Sequence, residues 1–191
     1  IRTPPATFYY RNKLEFSFAS RRWLTSTEMA EDRQFDDRAL GFHVPRFFDK
    51  VVDVTECHLM PEPANGIRNY VRAVAKAQGW GFYDFKENAG LMRQLVLRRS
   101  EATGRWLLIL ILGEDRPQVP AHLFPQLQAR FPEIESYLWI HNPKKNDQYT
   151  DQEPRLWAGP GHLAEQRGGH SFHAGPLSFF QTNTRQAEQL Y

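Results

Sequence analysis

The sequence predicts an α+β fold: a mainly antiparallel sheet with two or three helices. Three observations carry this. Apolar and polar residues alternate from Leu14 onward (Leu14, Phe16, Phe18 against Glu15, Ser17, Ala19), the period of a half-buried strand. The period then changes: Ile67, Tyr70, Val71, Val74 and Ala75 fall at helical spacing. Finally, the order strand, hairpin, helix, hairpin, helix, strand suits an antiparallel sheet better than a doubly wound one. The dinucleotide glycine fingerprint and the phosphate-binding loop are both absent, so no nucleotide domain of those types is encoded.

Along the chain, "YYRNKLEFSFAS" supplies the first strand, and "RRWLTSTEMAEDRQFDDR", ending at Arg38, reads as a long loop or hairpin tip. "ALGFHV" and "KVVDV" form a hairpin around Pro45. The helix within "CHLMPEPANGIRNYVRAVAKAQGW" ends at Gly79, which can take the left-handed conformation that closes a helix. "MRQLVLRRS" and "RWLLILILG" are strands joined by the turn-forming "EATG", and the second is almost wholly apolar, as a central strand should be. "HLFPQLQARF" predicts a short helix with Pro125 in its first turn, and "IESYLWIHN" another strand. A polar loop from Pro143 to Pro160 leads into a strand near Leu156, and short strands and loops follow. The last residues, Thr184 to Tyr191, open an amphipathic helix with Thr184 as N-cap.

With 41% apolar and 14% aromatic residues the chain can bury a substantial core. Residues 1–100 carry 16 Lys+Arg against 12 Asp+Glu, and the remainder 8 against 10, so a net +4 precedes a net −2. That asymmetry permits a basic face without demanding one. The longest apolar run, Trp106 to Leu112, is far below the roughly 18 residues of a membrane span, and no signal-peptide pattern opens the chain. The expectation is a cytoplasmic protein with no membrane partner. The single cysteine, Cys57, excludes an internal disulfide.

Four groups of residues invite a chemical reading. His162, His170 and His173 sit in "GHLAEQRGGHSFH", but spacings of eight and three around Gly168–Gly169 match no helical or hairpin ligand frame. Cys57 lies just after a strand and before a helix, where packing explains it as well as reactivity does; a catalytic thiolate needs a base or helix N-terminus, and His58, adjacent in sequence, usually points elsewhere, so a nucleophile is not expected. Tyr10 to Lys13, "YRNK", sets two cations beside an aromatic, a combination that grips phosphate and stacks on bases, or simply solvates a strand end. In "FFQTN", Phe179 and Phe180 would place one ring on each face of a strand. Gln181 and Asn183 would then share a face, offering amides to a base edge, to a cofactor or to neighbouring backbone.

Taken in order, "YRNKLEFSF", "LGFHV…VVDVTECHLM" and "PLSFFQTNTRQAEQLY" resemble the central region of the S-adenosylmethionine-dependent RNA uracil-5-methyltransferases, which make 5-methyluridine in ribosomal and transfer RNA. The resemblance spans nearly the whole chain. It implies a central RNA- and substrate-facing domain over 1–183, with 184–191 the start of a linker helix into a C-terminal methyltransferase domain supplied in cis beyond Tyr191. No complete Rossmann methyltransferase domain would lie in this chain, and the terminal segment from Thr184 would be exposed. The resemblance also implies RNA as partner, ribosomal favoured over transfer RNA, and S-adenosylmethionine as cofactor of the parent protein. Gln181, Phe180 and Phe179 match the family's cofactor and target-base contacts, and Arg11 and Lys13 a basic strand start near the RNA path. Cys57 matches one ligand of the 4Fe-4S iron–sulfur cluster found in many members, whose other three ligands are missing here. The family's nucleophilic thiol, its glutamate base and its glycine-rich cofactor loop match nothing in these residues, so no catalytic residue is expected in the chain and it should be inactive alone. Two other readings remain: a non-catalytic RNA-binding or protein-interaction module, and a histidine-metal hydrolase.

Overall fold

A computed structural model describes residues 6–31 and 34–190. Its main body is a seven-stranded sheet in the order β3-β2-β1-β4-β5-β6-β7. The strands are β1 (Lys13–Ala19), β2 (Ala39–Val44), β3 (Phe47–Asp53), β4 (Met92–Arg99), β5 (Trp106–Leu112), β6 (Ile134–His141) and β7 (Arg155–Ala158). Every neighbouring pair is antiparallel except β5 and β6, which run parallel and are joined through a helix. A separate hairpin pairs β8 (Leu163–Arg167) with β9 (His170–Ala174). The helices are α1 (Ser26–Ala30), α2 (Ala64–Ala77), α3 (Gln118–Arg130) and α4 (Thr184–Leu190).

The alternation in β1 sets which face each side chain takes, but the strand is half-buried only as far as Glu15, since Ser17 and Ala19 are buried on the other face. Leu14, Phe16 and Phe18 point to the face covered by α2 and α3, where they meet Ile67, Val71, Leu123, Phe124 and Leu127. The opposite face is covered as well. Val96, Leu107, Ile109, Ile111, Leu138 and Ile140 pack under Tyr149, Leu163 and Ala174 from the 142–149 loop and the β8–β9 hairpin. Burial on both faces explains why "WLLILIL" shows no alternation: each residue of β5 is buried. Each such aliphatic side chain contributes about 1.5–3 kcal/mol relative to exposure, so β4, β5 and β6 are the mechanical centre.

Four helices form among the described residues, where two or three were expected. The extra short one, α1, lies inside the stretch read as loop, of which residues 32–33 fall outside the described residues. Thr25 and Glu28 close a full capping box around it. The third helix begins earlier than expected, after Pro117, so Pro125 stands mid-helix rather than in the first turn. The residue is tolerated because Ala121, whose carbonyl its missing N–H leaves unpaired, and Pro125 itself are both exposed, so water can serve that carbonyl. Gly79 ends α2 at φ 66°, as its position suggested.

The outer strands β2 and β3 diverge from this centre. Strand β2 pairs with β1 only at Ser17, Phe18 and Ala19, and leaves it after Gly41. A Cβ at Gly41 would lie 2.0 Å from the Val52 carbonyl, so only glycine lets β3 approach here. Beyond it the lower half of β1, from Lys13 to Phe16, is paired with β4 on one side alone. No helix among the described residues is long and apolar enough to cross a membrane.

Candidate nucleic-acid interface

The segment before β1 and the segment before α4, nearly the whole chain apart in sequence, are sewn together by one side chain. Asn12, 4% exposed, donates through Nδ2 to the Gln181 carbonyl (2.8 Å) and to Thr184 Oγ1 (2.7 Å). Its backbone N–H donates to the Thr182 carbonyl (2.8 Å), and its own carbonyl accepts from Arg99 N–H (2.8 Å). On the other flank, Tyr9 and Arg11 donate backbone N–H groups to the carbonyls of His58 (2.7 Å) and Leu59 (2.9 Å). The "YRNK" stretch is thus held between the Cys57–Met60 segment and the Gln181–Thr184 segment.

Residues 175–184 form a strap pinned at both ends. Arg98, which faces Lys13 across the β1–β4 ladder, is buried and donates to the carbonyls of Gly175 (2.5 Å) and Pro176 (3.2 Å). Burial pulls the Arg98 guanidinium below the ordinary arginine pKa, while Tyr149, Glu165 and Glu15 oppose that shift. Asn12 pins the far end. Between the pins no strand forms, contrary to the sequence expectation, because no strand lies alongside to pair with it. Phe179 is therefore 85% exposed, while Phe180 lies with the Arg167 guanidinium 4.5 Å over its ring. Asn183 caps α4 by accepting Gln186 N–H (3.0 Å), so the cap sits one residue before the expected Thr184. Thr184 instead turns inward to Asn12, and Ala187 is buried too, while Leu190 is 72% exposed. The terminal helix is docked by its first turn and open beyond; Tyr191 lies outside the described residues.

Where β2 leaves β1, a cleft of about 260 Å³ opens, lined by Arg11, Lys13, Leu14, Glu15, Phe42 and Thr182. Both cations singled out in the sequence reach it, beside the strap. Lys13 pairs with Glu15 at 2.5 Å, and Glu15 also accepts the Tyr149 hydroxyl at 2.9 Å. Burial, reinforced by the Glu15 carboxylate, pushes the Tyr149 phenol well up, so it stays a donor. Arg11 Nε is buried without a hydrogen-bond partner. The cleft is open, cationic on one wall and aromatic at Phe42, suited to phosphate and an extended strand rather than to enclosing a small molecule.

Cys57 is a buried free thiol. Its backbone is clasped by Asn65, which accepts Cys57 N–H (2.8 Å) and donates to its carbonyl (3.3 Å). Asn65 also accepts from the fully buried Arg68, whose guanidinium lies 5.0 Å from the Phe16 ring centroid. Cys57 itself belongs to the apolar core cluster, and it is the single cysteine of the chain, whereas a 4Fe-4S cluster takes four thiolates. Two of the three histidines meet, His162 and His173 stacking in parallel at 4.1 Å and 13°. No group of three or more His, Cys, Asp or Glu able to hold a metal occurs among the described residues.

Curated relatives align along nearly the whole chain. A protein of Porphyromonas gingivalis is 40% identical over 97% of this chain, one of Bacteroides thetaiotaomicron 41% identical over 97%, and one of Chlorobaculum tepidum 35% identical over 98%. All three bear the name uncharacterized RNA methyltransferase. The chain's relatives are RNA methyltransferases. It spans only about two fifths of their length, 41%, 41% and 39%. No family model matches it. Among solved structures, a Pyrococcus abyssi tRNA (uracil-54, C5)-methyltransferase in complex with S-adenosyl-L-homocysteine superposes with a TM-score of 0.72, covering 97% of this chain and 40% of that one. At 24% identity this likeness establishes a shared fold.

Sequence reasoning assigned Arg11 and Lys13 to a basic strand start and Gln181, separately, to cofactor and base contacts; the structure brings the Gln181 backbone against Asn12, which stands between the two cations. Sequence reasoning missed Asn12 and Arg98, the residues that bring them together. A polar residue between two cations at a strand start was the only local sign of the first; an arginine directly after the apolar run Leu95–Leu97 was the sign of the second.

Proposed function

We propose that this chain is the RNA-facing part of an RNA uracil-5-methyltransferase, which transfers methyl from S-adenosylmethionine to C5 of a uridine in ribosomal or transfer RNA. Residues 1–183 form the substrate-facing domain, and 184–191 lead into a methyltransferase domain that carries the reactive groups. The observation that supports this reading most is the stapling of the basic start of β1 to the Gln181–Thr184 strap by Asn12. It fixes two phosphate-binding cations at a set distance from the amide and aromatic groups of the strap. Arg11 and Lys13 hold backbone phosphate, with Glu15 and Tyr149 orienting Lys13 until an RNA phosphate competes for it. Gln181, anchored by its carbonyl, keeps its amide in a fixed place beside the reacting base, and Phe179 and Phe180 flank it. Cys57 serves packing within these residues.

The test is a pair of binding measurements on the chain as it stands. S-adenosylmethionine should show weak or no binding by calorimetry, and tight binding would contradict the division of labour. RNA should bind with an affinity that falls linearly with the logarithm of salt concentration. An association indifferent to salt would point to another partner.

A further inference from the structure

Large exposed aromatic rings and cations also come together at the β2–β3 hairpin tip, "PRFFDK" from Pro45 to Lys50. Val44 pairs with Phe47 across the turn, but the next register point is His43 with Val51, so residues 48–50 are bulged out of the ladder. A bulge re-aims its side chains, and Phe48 is 68% exposed. Phe47 is 47% exposed and lies against Trp23, with ring centroids 5.1 Å apart. Two grooves flank the tip. One, of about 290 Å³, is lined by Arg22, Trp23, Met29, Asp37 and Lys50; the other is lined by Phe48, Phe85, Lys145 and Asp147. Asp49 is neutralised by Lys86 at 3.0 Å and Asp147 faces Arg93 and His43, whereas Arg46 belongs to no ion pair among the described residues. The tip is therefore net positive around exposed rings.

Its position matters as much as its composition. Strand β2 runs antiparallel to β1, so the tip projects from the same end of the sheet as Lys13, and Phe42 of the same strand lines the Arg11–Lys13 cleft. We propose that the β2–β3 tip is a stacking platform for unpaired RNA bases, with Phe48 and the Phe47–Trp23 pair receiving bases and Arg46, Lys50 and Lys145 the intervening phosphates. This extends the RNA path of the cleft and rests on the RNA-facing reading above. A single-stranded ligand is favoured over a duplex because exposed ring faces recognise bases only when these are unstacked from a partner strand. It is favoured over an apolar protein surface because each ring is bordered by a cation.

The test uses a fluorescein-labelled single-stranded oligouridylate of about a dozen nucleotides and a duplex of equal length. Phe48→Ala should weaken single-strand binding by about tenfold with an unchanged salt slope, since no phosphate contact is lost. Phe48→Tyr should restore it, and duplex binding should barely respond. Bound oligonucleotide should also quench Trp23 in the native chain relative to a Trp23→Phe control. Unchanged affinity in Phe48→Ala, with loss in Arg11→Ala and Lys13→Ala, would overturn the platform and leave the cleft reading standing. Failure of the native chain to bind any RNA would overturn both. Concentration-dependent self-association abolished by Phe48→Ala, with RNA binding intact, would assign the tip to protein contact and overturn the platform.

Discussion

Strands β4, β5 and β6 and strands β1, β2 and β3 belong to one sheet yet are built on opposite terms. The first group is paired on both edges, covered on both faces and buried along nearly its whole length. Its arginines are clamps: Arg93, 1% exposed, donates to the carbonyls of Asn142 (2.8 Å), Lys144 (2.5 Å) and Asn146 (2.8 Å) and so holds the loop that covers one face. The second group parts after three paired residues, leaves a cleft, and ends in a bulged tip with exposed rings. Its cations face solvent, a carboxylate, or nothing. Stability and recognition have been separated across a single sheet. Strained or under-satisfied groups are tolerable in the wing because the centre supplies the folding free energy.

Four substitutions test that contrast, in falling order of effect on stability. Leu110→Ala, in the centre of β5 at 0% exposure, should cost about 2–5 kcal/mol in urea unfolding; a loss below about 1 kcal/mol would show that the centre is not where stability resides. Gly41→Ala should cost about 1–3 kcal/mol, because the new methyl must displace the Val52 carbonyl, and it should alter RNA binding by shifting β2 across the cleft. Asn12→Ala removes both side-chain bonds and leaves the part-buried Gln181 carbonyl and the buried Thr184 hydroxyl short of a donor, at about 1–3 kcal/mol. Hydrogen exchange should localise its effect to residues 181–190, and a uniform loss of protection would contradict a local staple. Arg46→Gly should instead stabilise the fold by about 0.5–1 kcal/mol. Arg46 sits at φ 73° after Pro45, where a type II turn prefers glycine. The same change should weaken RNA binding. Opposite signs for stability and affinity are what a functional wing requires, and a loss of both would argue that Arg46 is structural.

How much of this was legible in the chain follows from the range over which each cause acts. The strand period in β1, the helical period in α2, the uniform apolarity of β5 and the turn at Pro45 are set by residues within a few positions of one another, and all are where the pattern put them. Helix α1 was also written locally, in Thr25 and Glu28, but a five-residue helix with no buried side chain leaves no apolar period to detect. Pro125 misled because a proline is read as a boundary, whereas its exposed face let the helix run through it. The strand expected at Phe179–Asn183 failed for a non-local reason: an extended segment becomes a strand only beside a partner, and here Arg98 and Asn12 hold it as a strap instead. Residue types marked Arg11, Lys13 and Gln181 as candidates. Their convergence depends on hydrogen bonds spanning 169 and 172 positions, which no local pattern records.

The account stands on the cleft between β1 and β2 being the place where RNA phosphate is held. The most direct measurement is the slope of log affinity against log salt concentration for single-stranded RNA, in the native chain and in the Arg11→Ala/Lys13→Ala double variant. Each phosphate contact to a single strand contributes about 0.7 to that slope, so the account predicts a slope shallower by roughly 1.4 with urea stability almost unchanged. A double variant that keeps the native slope and affinity would contradict it.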